Sequence, residues 1–401
     1  MNILVTSARA FISVDIIRVL SQQGHKVWTV DSLACPIAKY SSYIKSYSEE
    51  KYIKIPAPKL NFHAFSQAII DICHKNSIDF IIPTSEEIFY LAQIKNLPEH
   101  TKLQSINIEK LNNLHNKASF AELANNLGYG SGDFLVANSS EQLKDILQEI
   151  GQNLKNYVAK PIYSRFANNA LVSPSIEQIK NIQPTENCPW LFQKRMIGQE
   201  ICLYCVASEG ELLAHIAYFP EFRTNLHGAS LYFSPINFTE YKELSVNIKK
   251  MAQDFIKHTN FTGQISFDII NTTNGLVPIE CNPRGTSGVH LLSQQPQLFA
   301  NSLLGINTKS YKRNEIDIID NFSYKPMMLF FPILLKHPTS VFNPRKLKLL
   351  KNAQNVLKNN DISVIKSIIS ISEIFAISLH NKISFTEATT FDIEWNGERY
   401  Q

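Results

Sequence analysis

A chain of 401 residues, 44% hydrophobic and 18% charged, is long enough for two or three domains with substantial cores and too apolar to be disordered. Its net charge of +4 comes from Lys and Arg spread along the whole length, so no nucleic-acid partner is expected. Six cysteines, at positions 35, 73, 188, 202, 205 and 281, show neither paired metal spacing nor a secreted disulfide framework, which fits a reduced cytoplasm.

The N-terminal third alternates strands and helices. "NILVTSA", "FISVDIIRVLSQQG" and "HKVWTVDS" read as strand, amphipathic helix closed by Gly24, and strand. "AFSQAIIDICHKN" and "IDFIIPTSEE" repeat the unit, so a doubly wound parallel sheet is expected over residues 1–105. The first apolar run is short and runs into an ordinary helix, so no signal peptide is expected. Asp31, at the end of the second strand, stands where a dinucleotide-binding protein keeps its ribose acid. The turn after the first strand, "TSARAF", has no glycine, however, and a pyrophosphate site needs glycines for its tight turn and close backbone approach. An NAD(P)-dependent dehydrogenase is therefore a weak alternative. Glu86 and Glu87 open the helix after "IIPTS". They either stabilise that helix's N-terminus or contact an amine substrate at the carboxyl edge of the sheet.

From residue 106 the pattern changes. "IEKLNNLHNKASFAELANNLGYG" reads as a short helix and a longer one, with Lys117 at their junction. "NLKNYVAKPIYS" is a strand carrying Lys160, and "WLFQKRMIGQEICLYCVA" is two apolar runs around "QKRMIGQE". Cys202 and Cys205 form a CxxC within a strand, where positions three apart face opposite ways, so they are not a metal pair. Lone lysines are ordinarily solvated surface. What changes the reading is their order ahead of two further strands.

Those strands are "FTGQISFDII" and "LVPIECNPR", joined by "NTTNG", whose Asn274-Gly275 is a strong hairpin signal. Folding about that turn brings Asp268 opposite Glu280, with Asn282 and Arg284 continuing along the face of Glu280. Adjacent carboxylates repel, so a proton or a hard cation is expected between them; with Asn282 the set suits magnesium bridging phosphate oxygens.

The C-terminal hundred residues are read by pattern alone. "MMLFFPILL" at 327–335 is far below bilayer length and reads as a buried strand or loop, and no membrane span is expected. "PRKLKLLKNAQNVLKNN" from Pro344 is a basic amphipathic helix with a solvated face. "SVIKSIISISEIFAISL" is helical or mixed, and "TTFDIEWNGERY" is strand-like with a turn at Asn396-Gly397. The extension is expected to pack against the central domain.

Over residues 1–305 the "DII…IECNPR" strand pair, "VAKP" and "QKRMIGQE" resemble the ATP-grasp superfamily, and the N-terminal unit resembles its pre-ATP-grasp domain. The resemblance implies a mixed α/β and α+β protein: the doubly wound domain, an ATP-grasp domain of two α+β subdomains over 106–305 hinged near 193–200, and an extension over 306–401. It implies an ADP-forming carboxylate-amine ligase that uses ATP and Mg2+, with Mn2+ as a substitute. Lys117 and Lys160 would hold the nucleotide phosphates, with Ser164 in the covering segment. Lys194 and Met196 would offer backbone groups to adenine, with Gln193 beside them and Glu200 on the ribose. Asp268, Glu280 and Asn282 would carry magnesium, and Arg284 would steady the transferring phosphoryl group. The implied partners are a small-molecule carboxylate and an amine; self-association into a homo-oligomer is left open. One departure is that the segment after the second lysine, "IYSRFANNALV", has no glycine. Ser164, Arg165 and Asn168-Asn169 would have to cover the phosphates instead. A catalytically silent nucleotide-binding regulator is the main alternative.

Overall fold

The computed structural model describes residues 1–44, 52–130, 132–164, 169–224, 228–306 and 322–400. Arg165 and Asn168 lie outside the described residues.

In the N-terminal region β1 (Asn2–Val5), α1 (Phe11–Gln22), β2 (Lys26–Asp31), β3 (Tyr52–Lys54), α2 (Phe62–Asn76), β4 (Phe80–Ile82), α3 (Glu87–Leu91) and β5 (Lys102–Leu103) follow one another. The strands form a sheet of order β3-β2-β1-β4-β5 in which every pair is parallel. Such a sheet is covered on both faces, which is why "ILV" of β1 is wholly buried rather than alternating. The glycine-free turn after β1 is made by Ser7, which takes φ +55°. Asp31 is not open to a ribose. It is buried, accepting from the backbone and guanidinium of Arg9, so its expected place in a dinucleotide site is corrected to an internal ion pair.

The central region begins with α4 (Ile108–His115) and α5 (Lys117–Asn126), and continues through β6 (Phe134–Ala137), α6 (Ser140–Ile150), β7 (Tyr157–Pro161), β8 (Leu171–Val172), α7 (Ile176–Lys180) and β9 (Trp190–Lys194). Here the strands make a four-stranded antiparallel sheet, order β6-β9-β7-β8, over a small core of its own that includes Leu143, Ile146, Ile179 and Phe192. A second, larger sheet follows from β10 (Gln199–Ser208), β11 (Glu211–Arg223), β12 (Ser230–Pro235), α8 (Lys242–Thr259), β13 (Gly263–Thr272), β14 (Gly275–Asn282), α9 (Gly288–Leu292) and α10 (Pro296–Leu303).

That larger sheet has seven strands, order β14-β13-β10-β11-β12-β15-β16, and the last two, β15 (Met327–Met328) and β16 (Gln354–Asn355), come from the C-terminal extension. The expectation for "MMLFFPILL", a buried strand or loop, holds for Met327–Met328 and Leu329. Phe330–Lys336 is a helix, in which Pro332 sits in the first turn, where its missing N–H costs nothing. The basic helix is shorter than its pattern, Pro344–Asn352, because Gln354 and Asn355 are drawn into the sheet edge.

The helix Val364–Asn381 is, among the described residues, long and apolar enough to cross a membrane by length and composition. Its contacts are those of a helix lying on a folded domain: Glu373 accepts the backbone N–H groups of Ala34 and Cys35, and Ile374 packs with Leu33 and Ala388. The strand expected over "TTFDIEWNGERY" does not form. Its backbone groups bond singly to other partners: Lys59 N–H to the Asp392 carbonyl, Trp395 N–H to Glu86 and Tyr400 N–H to Gln93. This tail packs on the N-terminal domain, with Tyr400 stacked on Phe62 at 4.4 Å and Trp395 on Phe89 at 5.6 Å, so the expected packing on the central domain is corrected for residues 389–400.

Candidate active site

Asn274-Gly275 turns β13 into β14, with Gly275 at φ +118°, and the register places Asp268 directly opposite Glu280 and Ser266 opposite Asn282. The ladder then slips: Ile269 faces Pro278, leaving Ile279 as a bulged residue on the edge strand. Pro278 has no N–H to give, so an edge strand with an irregular ladder is where it can sit. The bulge has a use. The Ile279 carbonyl accepts from Lys160 Nζ at 3.0 Å.

Both lysines converge on this hairpin. Lys117 is the first residue of α5, whose start is capped by the Asn116 side chain. Its buried ammonium donates to the Ser164 carbonyl at 3.1 Å and lies 3.5 Å from Glu280 Oε1. Lys160, on β7, is also buried. Burial pulls its pKa down to about 8, against the pull of Glu280 in the other direction. Asp268 is shifted the opposite way. Burial, then the neighbouring Glu280 charge, raises it to about 6. The Cys202 thiol, opposite it on β10, donates to its Oδ1 at 3.3 Å. A carboxylate pair in this state is short of positive charge even with two lysines near, and its donors, with the Asn282 amide, are the hard oxygens that magnesium takes. The residues present fit that ion.

Arg284 lies beyond Asn282 with its side chain partly buried, Nη2 at 3.5 Å from Glu86 Oε1. Glu86 therefore faces the arginine. Glu87 accepts from Thr6 Oγ1 at 2.6 Å and from the Thr84 N–H at 2.9 Å. Both acids are buried, so the contact with an amine substrate does not fit them, and for Glu87 the helix-start reading does.

The residues expected around the base lie along β9 and the loop into β10. Gln193 is buried, paired in register with Phe134 and Val158, two positions from the Leu191 partner of Lys160. Lys194 is exposed and pairs with Asp133 at 3.1 Å, and Met196 lies against Gly132. Glu200, exposed at the start of β10, is ion-paired with Arg223 of β11. The Arg223 pKa is lowered by burial and pushed back up by Asp268, so this arginine belongs to the same electrostatic site. The sequence reading missed Arg223 and Cys202. Their only signal was a place on strands whose neighbours in the sheet could not be known from spacing.

No family model matches the chain, and no curated protein is similar to it in sequence. Solved structures are similar in fold. The biotin carboxylase domain of Hydrogenobacter thermophilus 2-oxoglutarate carboxylase, bound to MgADP, ADP and bicarbonate, superposes with TM-score 0.58 at 15% identity, over 79% of this chain and 72% of that one. N5-carboxyaminoimidazole synthetase from Staphylococcus aureus, complexed with ADP, gives 0.56 at 13% identity over 76% and 77%. The L-amino acid ligase of Bacillus licheniformis gives 0.54 at 14% over 75% and 74%. The chain has the ATP-grasp fold. Lys160, on the four-stranded sheet β6-β9-β7-β8, reaches Ile279 on β14 of the larger sheet, so the two sheets meet at this hydrogen bond.

Proposed function

We propose that this protein is an ATP-dependent, ADP-forming ligase that activates a small-molecule carboxylate as an acyl-phosphate for attack by an amine. The observation that carries the reading is the meeting of Lys117, Lys160, Asp268, Glu280 and Arg284 around one hairpin, three cations and two carboxylates from α5, β7, β13, β14 and the turn that follows β14. A phosphoryl group in transfer spreads negative charge over its oxygens, so the protein's task is to place cations. In this reading residues 1–105 and 106–305 act as pre-ATP-grasp and ATP-grasp domains hinged near 193–200, with 306–401 as an extension.

Lys117 and Lys160 bind the phosphates; burial depresses the pKa of Lys160, and a bound anion would favour its charged form, which supports the reading. Asp268, Glu280 and Asn282 would hold magnesium, which when bound neutralises charge on the nucleotide's phosphate oxygens. Arg284, a planar fork, holds the moving phosphoryl group and then the acyl-phosphate. Lys194 and Met196 offer backbone groups to the base, Gln193 lies beside them, and Glu200, already paired with Arg223, takes the ribose hydroxyls. Ser164, whose carbonyl accepts from Lys117, is the residue this reading assigns to covering the phosphates. That the three similar proteins include two bound to ADP and one amino acid ligase supports a carboxylate acceptor and a nucleotide donor.

The test is a screen of small carboxylic acids and amines with ATP and Mg2+, read by ADP release. One acid that stimulates ADP release, with an amine that is consumed, establishes the reading. Tight ADP binding without turnover under any acid would make the protein a nucleotide-binding regulator instead.

A further inference from the structure

The C-terminal tail reaches the proposed site through Glu86. Oε2 of Glu86 accepts the Trp395 backbone N–H at 3.0 Å, and Oε1 lies 3.5 Å from Arg284 Nη2. Glu86 and Trp395 are each only 1% exposed. A buried carboxylate keeps its charge only against a cation and well-placed donors, so each end of Glu86 fixes the other. Trp395 is itself held on three sides. Its indole stacks on Phe89, meets Tyr90 edge-on at 5.4 Å, and donates to Asn112 Oδ1 at 3.3 Å.

The tail is fastened on both flanks of that tryptophan. Asp392 pairs with Arg9 at 2.5 Å and accepts from Ser32, and Tyr90 Oη donates to the Glu394 carbonyl at 2.7 Å. On the other side, a Cβ at Gly397 would lie 3.2 Å from Tyr163 Oη, and Tyr163 donates to Asn112 Oδ1 at 3.0 Å, the atom that also takes the Trp395 indole. Tyr163 precedes Ser164, whose carbonyl holds Lys117. The same short segment therefore abuts Glu86 beside Arg284 and Tyr163 beside the Ser164 carbonyl that holds Lys117.

We propose that Glu86 is a positioning residue for Arg284 and that residues 392–397 are the part of the fold that sets it, so the active site is completed by this segment of the extension. For its catalytic consequence this rests on the ligase reading above; the mechanical coupling does not. Glu86→Gln keeps the shape and can still accept the Trp395 N–H, but it withdraws the charge that faces Arg284.

The experiment maps arginine modification by phenylglyoxal with peptide mass spectrometry, in the full chain without nucleotide. Arg284 should react several-fold faster in Glu86→Gln than in the unaltered protein. It should react faster by a smaller factor in Asp392→Asn, which loosens the tail without touching Glu86. Arg345, outside this network, serves as the internal reference. An unchanged Arg284 rate in both variants overturns the proposal, whatever the protein's activity. Once an acid substrate is in hand, kcat should fall about tenfold in Glu86→Gln, a loss of the size that supporting contacts produce. KM for ATP should hold, and the loss should not add to that of Arg284→Lys. Additive losses would likewise overturn it. Failure of Arg284→Lys itself to lose activity would count against the ligase reading and leave the modification result standing.

Discussion

Asp268 and Glu280 face each other across β13 and β14, and burial together with that neighbour lifts Asp268 from 3.8 to about 6. Between those values the folded protein keeps a proton that the unfolded chain has released. The contribution to stability is therefore fully present below the unfolded value and is lost as pH rises through the folded one. A divalent cation takes the proton's place. The difference in stability between the unaltered protein and Asp268→Asn should thus narrow or reverse in sign from about pH 4 to about pH 6 without metal, and Mg2+ should restore it above that range. Thermal unfolding of both proteins across pH, with and without Mg2+, measures this; a pH-independent difference would falsify the assignment.

Glu280 serves two partners, the expected cation and Lys117 at 3.5 Å. Glu280→Gln should lower Mg2+-dependent ATP turnover by about 100-fold, the scale of losing a group matched to the transition-state charge. The fold should survive, because Lys117 keeps the carbonyl of Ser164 as an acceptor and Glu280 is partly solvated. A loss of about 1 kcal/mol in urea unfolding is expected for such a pair. Near-normal turnover in this variant would remove Glu280 from the metal set.

Arg9 is clamped between Asp31 and Asp392, all three buried, and the last comes from 383 residues along the chain. Arg9→Met leaves two buried carboxylates without their cation and should cost roughly 3–5 kcal/mol. Asp392→Asn leaves Arg9 its Asp31 partner and should cost less, while freeing the tail to proteolysis near Thr389. An unfolding midpoint for Asp392→Asn equal to that of the unaltered protein would show that the tail contact contributes nothing beyond its packing.

How legible all this was varies with distance along the chain. The carboxylate pair could be read because alternation and an Asn-Gly turn fix a hairpin's register within fifteen residues. The bulge at Ile279 could not, since nothing in "LVPIE" announces an extra residue, and with it went the partner of Lys160. "TTFDIEW" alternates as a strand does, yet with no strand beside it each residue takes its own pocket. Alternation records which side chains are buried and not what they are buried against. Arg9 with Asp392, and Glu86 with Trp395, join segments that only the folded chain brings together.

Gly198 lies in the loop between β9 and β10 that follows Lys194 and carries Met196. A Cβ there would sit 2.2 Å from the Asn271 carbonyl oxygen at the end of β13. Backbone cannot step aside as a side chain can, so Gly198→Ala should cost about 1–3 kcal/mol and displace the loop. The expected result is a several-fold weaker ADP affinity by calorimetry. Gly24→Ala is the contrast: its Cβ meets nothing within 4 Å, and its φ of +79° should cost about 1 kcal/mol with ADP binding unchanged. Unaltered affinity in Gly198→Ala would place the base elsewhere.

The products of ATP cleavage distinguish two chemistries. An enzyme that adenylates its acid needs its cations around the α-phosphate and releases AMP and pyrophosphate. Here the carboxylate pair of the hairpin has Lys117 of α5 beside it and Arg284 just past the end of β14, and the arginine's fork can hold a trigonal phosphoryl group by two parallel hydrogen bonds. The ligase reading therefore expects attack by the substrate carboxylate on the terminal phosphate, forming a carbon-oxygen-phosphorus anhydride and releasing ADP. With hydroxylamine in place of the natural amine, the correct acid should give hydroxamate and ADP in equal amounts. Arg284→Lys should lose most of that rate, since an ammonium is a point charge and cannot reproduce the fork. AMP and pyrophosphate as the first products would sink this mechanism while leaving ATP as the substrate, because the same fold could then be presenting a different phosphate to the arginine.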